Sequence, residues 1–168
     1  MAISLADQYY IKALDDYPYN MEQALENINY ALSYDDEHAG ALFLMGSFCM
    51  DLLNEYEQAE TYFLRAMAVQ SDMLKLNFKY AELLLVFKEY DKLANLIAHT
   101  KTIRGCDKGN IFLLEGFMHE QKGDLELAEE SFHNAALNGF NSDFIEFAET
   151  AKNRVLAKIE KLKKVIWS

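Results

Sequence analysis

Four side chains in the second half of the chain have the types and spacing of a metal site. Glu115 and His119 are four residues apart, and so are Glu129 and His133. On the two helices of one hairpin, two carboxylates and two imidazoles could meet around a metal ion. The apolar pattern argues against this, because Glu129 and His133 flank packing residues and should point outward, while His119 itself lies at a packing position. A metal-dependent enzyme is therefore the least favoured hypothesis, and we expect no metal and no cofactor.

Other signatures of catalysis are missing from the sequence. It has no Gly-rich phosphate loop, no CxxC pair and no ordered set of Ser, His and Asp that would indicate a nucleophile. The two cysteines, Cys49 and Cys106, are too few for a disulfide framework. We therefore predict that the protein is not an enzyme.

Charge is distributed unevenly along the chain. Residues 1–150 carry a net charge of −16, whereas residues 151–168 hold six Lys and Arg against Glu160, a net charge of +5. The acidic body should repel phosphate backbones and anionic lipid surfaces, so we expect no nucleic-acid partner. The sequence has no basic leader followed by an apolar run and no 18 consecutive apolar residues. It predicts no membrane insertion and a cytoplasmic location.

Small and apolar residues recur along the chain with a period of 34 or 35 residues. The three rows are Ala24, Ala59, Leu93 and Ala128; Ile28, Phe63, Ile97 and Phe132; and Ala31, Ala66, Thr100 and Ala135. Such a period is typical of a solenoid in which each helical hairpin buries its apolar face against its neighbours. The apolar spacing and the turn residues predict helices at 2–17, 20–33, 38–53, 56–69, 73–87, 90–103, 109–122, 125–138 and 142–166.

These rows resemble the pattern of the tetratricopeptide-repeat (TPR) family. The fourth unit matches best, with Phe112, Gly116, Gly123, Leu125, Ala128, Phe132 and Ala135. The resemblance implies an all-α fold, a right-handed α-α superhelix of about four hairpins at 1–35, 38–70, 73–104 and 109–139, within a domain that spans 1–141. In the first unit, either Lys12 or Ala13 can occupy the small-residue position of helix A. The second unit carries one extra residue between its helices.

In TPR proteins the first helix of each hairpin, helix A, lines a concave groove that holds a partner. Carried over to this chain, the resemblance implies a protein or peptide partner in an apolar, aromatic groove, with Ala13 or Leu14 added according to the register of the first unit. The predicted groove residues are Tyr9, Tyr10, Phe43, Leu44, Ser47, Met50, Phe78, Lys79, Glu82, Leu113 and Phe117. Several of these side chains, Phe43, Phe78 and Phe117 among them, could instead complete the core between helices, and the chain itself could fill the groove. Only Lys75 and Lys79 are basic at the positions where some TPR domains hold a terminal carboxylate, so that kind of site is not expected.

The segment 142–168 lies outside the repeats, and its sequence predicts an amphipathic basic helix. Its apolar stripe runs from Phe144 to Ile166 at spacings of three and four residues. One interpretation is a helix that caps the last hairpin. The other is that its distal half protrudes and contacts a second chain in a homodimer through Leu162, Ile166 and Trp167.

Two functional hypotheses follow from the resemblance. The first is a non-enzymatic TPR adaptor or scaffold that binds an apolar or aromatic-anchored partner segment. The second is a cytoplasmic chaperone for a secreted translocator subunit, since such chaperones are also acidic and built from tandem TPR units.

Overall fold

The computed structural model describes residues 3–166, the last of them by its backbone alone. This part of the chain is all-α and has no strand, which confirms the predicted fold class at the level of secondary structure. The helices are α1 Leu5–Asp16, α2 Met21–Tyr34, α3 Ala39–Phe48, α4 Tyr56–Val69, α5 Leu74–Phe87, α6 Tyr90–Thr100, α7 Lys108–Lys122, α8 Leu125–Leu137 and α9 Ser142–Ile166, with a five-residue π-helix, Cys49–Leu53, after α3. No helix in the described residues is long and apolar enough to cross a membrane.

Local chemistry explains several of the helix ends. Ser4 begins α1 with a capping box in which its hydroxyl accepts from the Asp7 N–H while Asp7 bonds back to the Ser4 N–H. Asn20 and Asp107 cap α2 and α7 with their side-chain oxygens. At the start of α3 the cap is an imidazole, since His38 Nδ1 accepts from the Ala41 N–H at 3.0 Å.

The chain forms two compact units, Met1–Leu83 and Leu84–Ser168. In the first unit α1 packs on α2 and α3 packs on α4. The repeat rows supply the core there, since Ala24, Ile28 and Phe63 are fully buried. The period seen in the sequence therefore marks the faces on which the helices meet.

The structure resolves the register of the first repeat in favour of Ala13. Ala13 is fully buried in one cluster with Ile28, whereas Lys12 is exposed with its Nζ 4.7 Å from the centre of the Tyr9 ring. The equivalent position in the second repeat is Gly46, where an added Cβ would lie 2.6 Å from the Phe63 ring. A charged side chain cannot occupy such a contact without losing its hydration.

The extra residue of the second repeat is absorbed by the π-helix. The sequence predicted one helix over 38–53, but α3 ends at Phe48 and the Glu55 N–H donates to the Cys49 carbonyl at 2.9 Å. Asn54 then takes a left-handed conformation, with φ of 56°. A π-turn holds one more residue per turn than an α-helix, so the next helix begins in register.

In the second unit α7 packs on α8, and α8 packs on α9. Gly116 lets the two helices of the α7–α8 hairpin approach, because an added Cβ would lie 2.6 Å from the Phe132 ring. Helix α9 then lays its predicted stripe on this hairpin, with Ala148, Ala151 and Val155 buried. The loop before α7 is longer than predicted, because α6 ends at Thr100 rather than at residue 103.

Candidate functional site

The helix-A positions of the first unit lie on neighbouring helices. Tyr10 of α1 lies so close to Gly40 of α3 that a Cβ added there would be 2.6 Å from the Tyr10 ring. Further along, Lys79 Nζ of α5 lies 2.8 Å from Asp51 Oδ1, in the π-helix that follows α3. These contacts place α1, α3 and α5 side by side, as the repeat pattern predicts.

Three aromatic residues occupy the same repeat position on these helices. Tyr10, Phe43 and Phe78 each stand three residues before the small residue of their repeat, which is Ala13, Gly46 or Ala81. All three side chains are half-buried. Each of these side chains is therefore only partly covered by other residues, and the rest of it faces solvent.

Three other predicted groove residues are buried. Leu44, Ser47 and Met50 are 3%, 5% and 9% exposed. Leu44 belongs to the same buried cluster as Ala13, and the Ser47 hydroxyl donates to the Phe43 carbonyl at 3.0 Å. These three side chains therefore complete the core between the helices, which is the alternative raised from the sequence.

Tyr9 has different neighbours from Tyr10. Its ring lies 5.0 Å from Tyr30 and 5.7 Å from Tyr34, both on α2, and it is stacked on the latter. With Ala13 as the small residue, Tyr9 faces the second helix of its own hairpin. Leu14, the alternative named for this repeat, is 43% exposed.

A charged cluster adjoins the aromatic row. Lys79 Nζ lies 2.8 Å from Asp51 and 3.1 Å from Glu82. Burial opposes the charged form of Lys79, but the hydrogen bond to Asp51 and the charge of Glu82 outweigh it, so its pKa is raised. Burial, assisted by the Asp51 charge, also raises the pKa of Tyr17. Sequence reasoning missed Asp51 because the π-helix brings it to this face.

In the second unit the predicted groove residues lie beneath α9. Leu113 and Phe117 are half-buried and pack on the cluster that contains Val155. The Phe117 ring lies 5.1 Å from Phe132 and 6.0 Å from the Arg154 guanidinium. Here part of the chain itself covers the helix-A side chains, as one of the two sequence alternatives anticipated.

The Glu and His residues proposed as metal ligands have other surroundings. Glu115 accepts from Lys101 Nζ at 2.6 Å, and His119 Nδ1 is 3.8 Å from Asp124 Oδ2, beyond hydrogen-bond distance. Glu129 is half-buried and His133 is exposed. Among residues 3–166 no group of three or more His, Cys, Asp or Glu side chains is arranged to hold a metal ion.

The residues suggested as an oligomer contact lie at the end of α9. Leu162 is 54% exposed. The Ile166 side chain and Trp167 lie outside the described residues.

Among the solved structures that match this chain, two cover almost its whole length. One is MamA, from residue 41 to its end, of Desulfovibrio magneticus RS-1, with a TM-score of 0.70 at 16% identity, covering 99% of this chain and 96% of that one. The chain has the fold of MamA. The ArsTM double mutant of MamA RS-1 gives a TM-score of 0.69 at 14% identity and covers 98% of both chains. This likeness supports the TPR-type fold predicted from the repeat rows. No protein-family model matches the sequence, and no curated protein is detectably similar to it.

Proposed function

We propose that the protein is a non-enzymatic interaction module that binds a protein segment on one face of its first unit. We call this face the helix-A surface and define it by Tyr10, Leu14, Phe43, Phe78, Lys79 and Glu82. The observation that carries the proposal is the row of three half-buried aromatic rings on three adjacent helices. Aromatic side chains of this kind anchor most protein interfaces, because they bury a large area at a small cost in side-chain entropy.

The partner segment would carry apolar or aromatic anchors. Partly exposed rings offer an apolar surface at a regular spacing, and a segment with side chains at a matching interval could fill it. Apolar area that stays in contact with water is the usual mark of such a surface.

The charges beside the row favour a basic rather than an acidic flank on the partner. Lys79 is paired with both Asp51 and Glu82, so these three groups together carry a net negative charge. A terminal carboxylate of the partner would have to compete with two carboxylates for Lys79. A Lys or Arg beside the anchor would instead meet an attractive potential.

Selection from a random peptide library on the full chain tests this proposal. We expect a consensus with apolar or aromatic anchors and a basic neighbour, bound in solution with an affinity that fluorescence anisotropy can measure. Phe78→Asp should weaken the selected peptide about 30-fold, the loss expected when an anchor worth about 2 kcal/mol is removed.

The matched control is Leu64→Asp on α4, where an exposed apolar side chain, 48% accessible, receives the same charge away from the helix-A surface. It should leave the affinity within about twofold, the range expected for a residue outside the interface. An equal loss of affinity in both variants would contradict the proposal. So would an unchanged affinity in Phe78→Asp, provided that this variant unfolds at the same temperature as the unmodified chain.

A further inference from the structure

The apolar stripe of α9 changes from buried to exposed along its length. Val155 is fully buried and Ile159 is half-buried, while Leu162 is 54% and Val165 is 73% exposed. Helix α9 has 25 residues and α8, on which it packs, has 13. At 1.5 Å per residue, Val165 lies about 15 Å along the helix axis beyond Val155.

Lysines flank the exposed end of this stripe. With 100° between successive residues of an α-helix, Lys161 and Lys163 fall on opposite sides of Leu162, and Lys164 falls on the face opposite to it. All three are exposed, and none of them forms an ion pair within the described part of the chain.

The basic residues nearer the packed half of α9 are already engaged. Lys152 pairs with Glu149, and both Arg154 and Lys158 pair with Glu120. Positive charge that is free to meet a partner is therefore concentrated at the distal end, next to the exposed apolar side chains.

This short segment suits a lipid surface better than a protein surface. A stable protein–protein interface buries at least about 1,000 Å², far more than about two helical turns can supply. An anionic bilayer requires no matching shape. It attracts each nearby lysine, takes apolar side chains into its interfacial region and binds amphipathic helices with a basic polar face.

The acidic body does not prevent this contact. The Debye length is about 8 Å at physiological salt, so charges much farther away than this from the bilayer are largely screened. The distal lysines lie about 9 to 14 Å along the helix axis beyond Val155, the last fully buried residue of the stripe. They could lie at the bilayer surface while the hairpin remains outside the range of strong repulsion.

We propose that the distal turns of α9, residues 160–166, dock the protein on an anionic lipid surface through Lys161, Lys163 and Lys164, with Leu162 and Val165 in the interfacial layer. This contact is peripheral and reversible, and it does not depend on the partner surface of the first unit. It would place a protein-binding module at a membrane without a spanning helix.

Sedimentation of the full chain with vesicles tests the proposal. The vesicles consist of phosphatidylcholine, with or without a minority of phosphatidylglycerol. The chain should bind only the anionic vesicles, and less strongly at high salt. Changing Lys161, Lys163 and Lys164 together to Glu should lower the partition coefficient at least about 100-fold, since roughly fivefold is lost with each lysine and each glutamate adds repulsion. Leu162→Asp with Val165→Asp should also reduce binding, because it removes the apolar contribution.

The control variant changes Lys12, Lys75 and Lys108 to Glu, three exposed lysines outside α9 that give the same change in net charge. It should bind like the unmodified chain. Absence of binding to anionic vesicles, or an equal loss in both triple variants, would overturn the proposal. A dimer in analytical ultracentrifugation that Leu162→Asp dissociates, without any vesicle binding, would overturn it in favour of a second chain as the partner. Circular dichroism identifies any variant that has lost its helices. If the triple lysine variant of α9 has done so, the single change Lys161→Glu is used in its place.

Discussion

The two carboxylate oxygens of Glu120 on α7 accept parallel hydrogen bonds from Nε and Nη2 of Arg154 on α9, at 2.9 and 2.6 Å. Lys158 Nζ adds a third bond, to Oε1, at 2.7 Å. The Glu120 side chain is 9% exposed and that of Arg154 is 46% exposed. A two-pronged contact to a nearly buried carboxylate fixes the rotation of α9 on its hairpin, and with it the direction in which the distal lysines point.

Arg154→Ala should destabilise the second unit by roughly 1–3 kcal/mol, because it leaves the buried Glu120 carboxylate with one cationic partner instead of two. Arg154→Lys should recover part of this loss, since an ammonium cannot reproduce the paired geometry. Urea unfolding followed by circular dichroism measures both. Arg104→Ala, at an exposed position in the loop before α7, should change stability by less than about 0.5 kcal/mol. A similar effect at both arginines would contradict a specific role for the pair.

The same contact predicts a pH dependence. The hydrogen bonds from Arg154 lower the pKa of Glu120 more than burial raises it, and Lys158 lowers it further. A carboxyl group with a lowered pKa in the folded state stabilises the protein above its unfolded pKa of about 4.3, and this contribution is lost as the pH falls through the folded pKa. The free-energy difference between the unmodified chain and Glu120→Gln should therefore be largest near neutral pH and shrink on acidification. A difference that is constant from neutral to acid pH would rule this out.

The register of the first repeat can be tested by substitution at its two candidate positions. Ala13→Lys should destabilise the first unit by more than about 3 kcal/mol, since it places a charge in a fully buried position, whereas Lys12→Ala should change stability by less than about 0.5 kcal/mol. Thermal unfolding of the two variants distinguishes the registers. Tolerance of lysine at residue 13 would show that Lys12 occupies the packing position.

Two turns between consecutive helices differ in whether the residue suits its backbone conformation. Lys88 has a φ of 58° and Gly123 a φ of 88°. Lys88→Gly should stabilise the chain by about 0.5–1 kcal/mol, the penalty of a side chain in the left-handed region less the added entropy of glycine in the unfolded state. Gly123→Ala should destabilise it by about 1 kcal/mol. If the free energy of unfolding rose in both variants or fell in both, the prediction for these two turns would be contradicted.

The sequence predicted the helices well where one apolar stripe decides the outcome. Helix α4 was predicted at 56–69 and α9 at 142–166, and both agree with the structure. Each carries an unbroken stripe of apolar or small residues at helical spacing. Periodicity of this kind depends on local sequence alone, which is why it can be recognised without a structure.

The sequence could not predict where one residue is gained or lost between repeats. An extra residue in the second repeat could have become a longer loop, but it is accommodated by the π-helix, which brings Asp51 next to Lys79. In the first repeat, spacing alone allowed Lys12 as well as Ala13. Which of the two is buried depends on the space between α1 and the neighbouring helices α2 and α3, and the spacing of residues in the sequence does not determine that space.

The prediction of groove residues from the family pattern has a similar limit. A shared repeat position indicates which way a side chain points, but not how much of it neighbouring helices cover. Phe43 and Leu44 are adjacent, yet only Phe43 keeps an appreciable exposed area. Burial of Leu113 and Phe117 depends on α9, a helix outside the repeat pattern.

The most direct test of the proposed interaction is amide NMR of the isotope-labelled chain during titration with the selected peptide. We predict that the largest shifts lie on α1, α3 and α5, around Tyr10, Phe43 and Phe78, and that Phe78→Asp removes them at equal peptide concentration. Saturable binding with its largest shifts on α8 and α9, and none near these three aromatic residues, would contradict the proposal.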